Sequence, residues 1–259
     1  MRKTYGAEAR AMRIARMQEL VTAQGPLALK QAALLLQVTE MTLRRDLAAN
    51  ESPLSCLGGY VLAASIAPGE RYSLDEARDQ HAANKRLACQ RAAQWVRDGD
   101  SLFVDCGTTT IHFAEALPAD LSLSVACYSL DIAAQFSRRP RTQVMLLGGL
   151  FHASSASFFS DEGLAYLKRL GINKAFLSAG GLHPLRGASC SNFHEVPVKQ
   201  AALRSATERF LIVDESKLDT VRPAFFAPLD TFARIAVGGA PTPEMRRRFK
   251  DAPLDIARK

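Results

Sequence analysis

The chain has 259 residues, 47% of them hydrophobic, and a formal net charge of +7, which is enough for one large or two ordinary domains with real cores. Its five cysteines (Cys56, Cys89, Cys106, Cys127, Cys190) stand far apart with no C-x-x-C pair, which argues against a zinc site or a disulfide framework and for reduced, mostly buried thiols in a cytoplasmic protein. No apolar run is long enough to cross a bilayer, no apolar signal core follows the charged N-terminus, and no repeat or low-complexity tract is visible.

A first helix is predicted over about Ala7 to Val21, with Ile14, Met17 and Leu20 as its apolar stripe and Arg10, Arg13 and Arg16 as a basic side. Pro26 after Gln24-Gly25 turns the chain. Leu29, Ala32, Ala33 and Leu36 then share one helical face, a tight break falls at Gln37-Val38, and Thr39 is placed to cap a following helix. Glu40 suits the positive end of that helix, and Leu43 and Leu47 pack inward. This spacing predicts a helix-turn-helix whose second helix can lie in a DNA major groove. The candidate DNA-reading residues are Thr39, Glu40, Met41, Thr42, Arg44 and Arg45. Arginine can contact phosphate or grip guanine bidentately, and threonine can reach a base or a phosphate. Asp46 is expected to orient an arginine or to pair with the first helix.

Leu54 to Leu62 reads as a short β-hairpin around Gly58-Gly59, which makes residues 1–62 a winged helix-turn-helix. The plain alternative is a small helical subdomain with a solvated arginine face; the cap, the paired arginines and the wing favour DNA. Residues 1–50 hold eight Lys/Arg and four Asp/Glu, a net +4 from under a fifth of the chain, and a basic head suits a phosphate backbone. Residues 63–72, with Pro68-Gly69, read as a linker, and residues 73–259 as a second domain. From Arg71 to Arg97 the pattern is helical.

Beyond Asp98-Gly99-Asp100, buried-strand runs are predicted at Ser101–Val104, Leu123–Ala126, Val144–Leu147, Ala175–Ser178, Phe210–Val213 and Ile235–Val237. Helices are predicted between most of them, near Ile111–Leu117, Leu130–Ser137, Glu162–Leu170 and Val198–Glu208. Alternation of this kind predicts an α/β domain with a mostly parallel, doubly wound sheet, and such sheets bind ligands at the carboxyl ends of their strands. One strand runs into Asp105-Cys106-Gly107-Thr108-Thr109-Thr110, a glycine turn and three hydroxyls before a helix, which is a ready phosphate cradle. It is neither a Walker A loop nor a G-x-G-x-x-G dinucleotide turn. Gly148-Gly149, Ser178-Ala179-Gly180-Gly181, Glu195, Lys199 and Lys217 add further strand-end positions. The candidate effector residues are therefore Asp105, Gly107, Thr108, Thr109, Thr110, Gly148, Gly149, Ser178, Gly180, Glu195, Lys199 and Lys217. No metal or cofactor is expected.

The stretch LKQAALLLQVTEMTLRRDL (Leu29–Leu47), the Gly58-Gly59 wing and the motifs DCGTTT, LLGG, SAGG, Glu195 with Lys199, and DESK (Asp214–Lys217) together resemble the DeoR family of bacterial transcriptional regulators, in order and spacing, over nearly the whole chain. The resemblance implies a C-terminal half like ribose-5-phosphate isomerase and a phosphorylated sugar as effector. Many members carry Thr-Asn after the second sheet strand, whereas this chain has Cys127-Tyr128-Ser129-Leu130. With Phe151–Ser154 and Gly187–Cys190, the chain resembles one branch of the family, and that resemblance implies repression of deoxyribonucleoside catabolism genes, relieved by deoxyribose-5-phosphate. Those isomerases carry an acidic D-G-A-D-E loop, and this chain has Ser178-Ala179-Gly180-Gly181-Leu182, without the carboxylates that proton transfer between sugar carbons needs. The expectation is a sensor and not an enzyme, with Asp105, Gly107 and the threonines holding the ligand and Lys199 and Lys217 countering phosphate charge. Two-fold operator binding implies at least a homodimer. The rivals are a phosphosugar isomerase with an appended helix-turn-helix, or an activator.

Overall fold

The computed structural model describes residues 2–24, 27–47, 52–57, 60–63 and 81–258, in two compact units, Met1–Arg71 and Tyr72–Lys259. The turn expected at Gly25-Pro26, the Gly58-Gly59 wing tip, all but the first residue of the expected linker and the start of the Arg71–Arg97 segment lie outside the described residues.

The first unit runs α1 (Arg2–Gln24), β1 (Leu27–Ala28), α2 (Leu29–Leu35), α3 (Glu40–Leu47), β2 (Leu54–Leu57) and β3 (Tyr60–Ala63). Its apolar periodicity is spent on one core: Ile14, Met17 and Val21 of α1 meet Leu29, Ala32 and Ala33 of α2, Leu43 and Leu47 of α3, and Leu54 and Val61 of the wing. β2 and β3 pair antiparallel, with Leu54 opposite Ala63, and β1 adds a third strand, with Leu27 opposite Val61. The turn between α2 and α3 passes through Gln37 in the left-handed region, φ 53°, and Val38 N–H closes it onto Ala33 O at 3.0 Å. α1 extends beyond the expected Ala7–Val21 at both ends.

In the second unit, α4 (Ala82–Ala93) leads into β4 (Ser101–Val104), α5 (Phe113–Ala116), β5 (Leu123–Cys127), α6 (Leu130–Phe136) and β6 (Thr142–Leu146). The hairpin β7 (Leu150–His152) and β8 (Ser157–Phe159) follows, then α7 (Asp161–Leu167), β9 (Lys174–Ser178), β10 (Gly181–His183), β11 (Gly187–Cys190) and α8 (Glu195–Ser205). The chain ends with β12 (Glu208–Asp214), β13 (Ala224–Ala227), β14 (Arg234–Gly238), α9 (Pro243–Arg248) and β15 (Leu254–Ala257).

Seven strands form a parallel sheet in the order β15-β14-β12-β9-β4-β5-β6. Successive side chains on a strand point to opposite faces. Phe103, Leu177, Leu211 and Val213 therefore enter one apolar cluster with α7 and α8, while Leu102, Val104, Phe176, Phe210 and Ile212 enter another with α4, α5 and α6. Both faces are covered, as an all-parallel sheet requires. All six predicted sheet strands and all four predicted helices are present, with ends shifted by a few residues.

The order of strands fixes where a ligand can sit. From β4 the chain steps outward through β5 to β6, then returns to place β9 on the other side of β4. The loops leaving β4 and β9 thus part in opposite directions, and a crevice opens at their carboxyl ends. At the amino ends of the same strands the chemistry is structural. Asp100 accepts from Lys174 Nζ at 2.7 Å and from Arg97 N–H at 2.7 Å. Burial works against its ionisation, yet the bonds from Lys174, Arg97 and Asn173 hold it below the usual carboxylate range.

Candidate functional site

On the head, the structure separates arginines that hold the fold from arginines that face outward. Arg13 Nε donates to the buried Asp46 carboxylate at 2.7 Å, and Arg10 Nε donates to the Asp46 carbonyl at 3.1 Å. Asp46 thus ties α3 to α1. Arg16 pairs with Glu19 on its own helix. Arg44 and Arg45 are exposed on α3, and no hydrogen bond or ion pair engages either guanidinium among the described residues. Thr39 does its capping work, accepting from Thr42 N–H at 3.2 Å, and the two hydroxyls pair at 2.9 Å. Glu40 and Met41 are exposed, the latter by 73%, and Thr42 is half-buried.

In the second unit the crevice between β4 and β9 is a solvent-open cleft. Gly107, Thr108, Thr109, Ser178, Gly180, Glu195, Lys199 and Lys217 line it. Asp105 lies fully buried and does not line the cleft; it organises the network around it. Its Oδ1 accepts from Tyr128 OH at 2.7 Å; its Oδ2 accepts from Ser178 N–H at 2.8 Å and from Lys199 Nζ at 2.5 Å. Thr110 is also buried, and its hydroxyl donates back to Gly107 O at 3.1 Å. Gly107 has φ 131°, and a Cβ there would stand 2.6 Å from Ser178 Oγ, so only glycine lets the two strand ends close together.

Gly148 and Gly149 depart from expectation. They are not brought to this cleft: Gly148 O accepts from Ser160 Oγ at 3.0 Å, and a Cβ on Gly149 would strike the Phe159 backbone. They serve the turn between β6 and β7, because β6 lies at the far edge of the sheet, two strands away from the switch point.

Lys199 also departs from its expected role as a phosphate cation. Its three N–H donors point to Asp105, to Ser178 O at 3.2 Å and to Glu195 Oε2 at 3.4 Å. Burial alone would lower its pKa, but the Asp105 and Glu195 carboxylates outweigh burial and hold it well above the usual lysine value. Tyr128 is pushed far up by burial and then by Asp105, and Cys106 far up by burial and then by Glu195. Both stay protonated at neutral pH. His194, which bonds Ser155 Oγ at 3.2 Å, is pushed down to about 4 by burial, with His152 and Lys199 adding, so it brings no charge to the cleft near neutrality.

Several lining or supporting residues were not picked out by sequence reasoning. Tyr128 sits just past the carboxyl end of β5, where the strand-end rule points. Lys85 is buried in α4 and donates to Thr108 Oγ1 at 3.0 Å; nothing in a lysine's neighbours announces that burial. Asn192, which donates to Glu195 Oε1 at 2.7 Å, and Arg222 both come from loops and carry no sequence signal. Among the described residues no group of His, Cys, Asp and Glu is gathered that would hold a metal ion, and no helix is long and apolar enough to cross a membrane.

Comparison with known proteins gives the same division of the chain. Residues 13–65 match the family model described as the DeoR-like helix-turn-helix domain, and residues 80–238 match the DeoR C-terminal sensor domain. The deoxyribose operon repressor of Escherichia coli K12 is 37% identical over 223 residues, covering 86% of this chain and 88% of that one. The HTH-type transcriptional regulator IolR of Bacillus subtilis 168 is 27% identical over 85% of this chain and 87% of its own. Among solved structures, ribose 5-phosphate isomerase A of Neisseria gonorrhoeae is 16% identical with a TM-score of 0.38, covering 52% of each chain. Both sequence relatives are transcriptional regulators, not enzymes.

Proposed function

We propose that this chain, which belongs to the DeoR family of transcriptional regulators, is a cytoplasmic repressor of deoxyribonucleoside and sugar catabolism genes whose grip on double-stranded operator DNA is released by a phosphorylated sugar. Deoxyribose-5-phosphate is the first candidate effector, because the relative that is 37% identical is a deoxyribose operon repressor. The observation that carries the reading is the switch-point cleft, lined by Thr108, Thr109 and Ser178 together with Lys217 and Arg222. Hydroxyls and amides suit sugar oxygens, and cations suit a phosphate.

Thr39 to Arg45 form the DNA-reading surface in this proposal, with Arg44 and Arg45 as its principal contacts and Glu40, Met41 and Thr42 at the rim. The effector acts by binding the DNA-free state more tightly than the DNA-bound one, since a ligand with equal affinity for both shifts nothing. Two heads on two half-sites make the working species at least a homodimer. The exposed apolar side chains of Leu146 on the edge strand β6 and of Leu150 and Phe151 on the hairpin strand β7 support self-association. Calorimetric titration with deoxyribose-5-phosphate, ribose-5-phosphate and plain deoxyribose tests the effector class. The phosphorylated sugars are expected to bind, and to bind at least about tenfold more weakly to the Thr108→Ala/Thr109→Ala double variant, the loss of about one hydrogen bond to a charged group. Equal binding of deoxyribose and its phosphate would refute a phosphosugar sensor.

A further inference from the structure

We infer that Arg222 is the residue by which this cleft selects a phosphorylated ligand, and that the Ser178-Ala179-Gly180-Gly181 turn exists to seat that arginine. The inference rests on the phosphosugar reading and specifies which group carries it.

Three cations line the cleft: Lys199, Lys217 and Arg222. Lys199 is engaged by Asp105 and Glu195, 2.5 and 3.4 Å away, so its charge is already answered within the protein. Lys217 stands 3.9 Å from the buried Asp214 carboxylate, whose Oδ2 has no hydrogen-bond partner; its charge is partly compensated. Arg222 has no carboxylate within ion-pair distance among the described residues.

The arginine is also built into place. Its stem lies across Gly180, where an added Cβ would meet Arg222 Cγ at 2.9 Å. Its Nε donates to Gly180 O at 3.3 Å, and its backbone N–H donates to Ser189 Oγ at 2.9 Å. Ser189 Oγ in turn donates to Gly181 O at 3.1 Å, and Gly181 has no Cβ to push away the Thr220 backbone. The close approach that these glycines permit is thus used by the 220–222 segment. With the stem pinned and Nε occupied, the two terminal nitrogens of the guanidinium remain as a preset fork. A fork of this geometry binds two oxygens of one phosphate, and pre-organisation reduces the entropy lost on binding. A plain sugar offers no such pair of charged oxygens.

The test compares deoxyribose-5-phosphate with deoxyribose by calorimetry on the full-length wild type, Arg222→Met, Gly180→Ala and Lys217→Met, with thermal melting as a check that each sensor unit is folded. Arg222→Met is expected to lose about 10- to 100-fold in affinity for the phosphate ester while any weak affinity for deoxyribose stays unchanged. Gly180→Ala is expected to act in the same direction, because the new methyl displaces the arginine stem. If Arg222→Met binds the phosphate ester as wild type does and Lys217→Met does not, the assignment to Arg222 is overturned and the phosphosugar reading stands. If wild type fails to bind the phosphate ester at all, both are overturned.

Discussion

Asp105→Ala is expected to lower the stability of the sensor unit by about 3–5 kcal/mol, the cost of leaving one half of a buried ion pair without its partner. Asp105 is fully buried and collects bonds from Tyr128, Ser178 and Lys199. Its removal strands the Lys199 ammonium with Ser178 O and the more distant Glu195 and takes the acceptor from the Ser178 amide. Lys199→Met is expected to cost less, because Asp105 keeps the bonds from Tyr128 and Ser178. The single tryptophan, Trp95, packs on Phe210 of β12 with ring centroids 4.9 Å apart, so its fluorescence reports the sensor unit by itself. That matters because a chain with two units need not unfold in one step. Urea midpoints followed at Trp95 should fall furthest for Asp105→Ala. A change under about 1 kcal/mol, the size of an ordinary surface substitution or two, would mean that the network beneath the cleft does not hold it together.

Replacing Arg44 and Arg45 with alanine is expected to lower operator affinity by about 10- to 100-fold each, from the 1–3 kcal/mol of a good base-edge or phosphate contact. Neither side chain supports the fold, so the head should melt as wild type does. The two kinds of contact leave different signatures. A lost phosphate contact weakens all sequences alike and reduces the slope of log affinity against log salt by about one; a lost base contact relaxes specificity at one position. Arg13→Ala is the contrasting control: it breaks the 2.7 Å bond to Asp46 and should destabilise the head itself. Operator binding by the Arg44→Ala/Arg45→Ala double variant at wild-type affinity would remove α3 as the reading helix. Its sugar-phosphate affinity should be unchanged.

Much of this was legible because the signals are local. The 3.6-residue period of Leu29, Ala32 and Ala33 and the cap at Thr39 needed no tertiary information, and the six sheet strands announced themselves as apolar runs, although the edge strand β6 is largely exposed and not buried. What was missed is short or depends on the third dimension. β10 (Gly-Leu-His) and β11 (Gly-Ala-Ser-Cys) are short and hold no run of large apolar residues to mark them. The edge strand β15 and the helix α9 are likewise short. The α1 arginines read as a basic side, yet Arg10 and Arg13 answer Asp46, some thirty residues onward. Gly148-Gly149 looked equivalent to Gly180-Gly181, and only the strand order, with β6 at the edge and β9 at the centre, sets them apart. By sequence Lys199 is a phosphate cation, but the fold sets it against the Asp105 and Glu195 carboxylates, and Arg222 stands in a loop whose sequence gives no hint that it lies across Gly180.

Linkage between the cleft and α3 is tested most directly by one titration. Full-length protein is titrated onto operator DNA with and without saturating deoxyribose-5-phosphate, with plain deoxyribose as the control. The phosphate ester is expected to weaken operator binding by about 5- to 150-fold, the usual span of an allosteric coupling of 1–3 kcal/mol, while deoxyribose leaves it unchanged. Operator affinity that is the same with and without a phosphate ester shown to occupy the cleft would contradict the account.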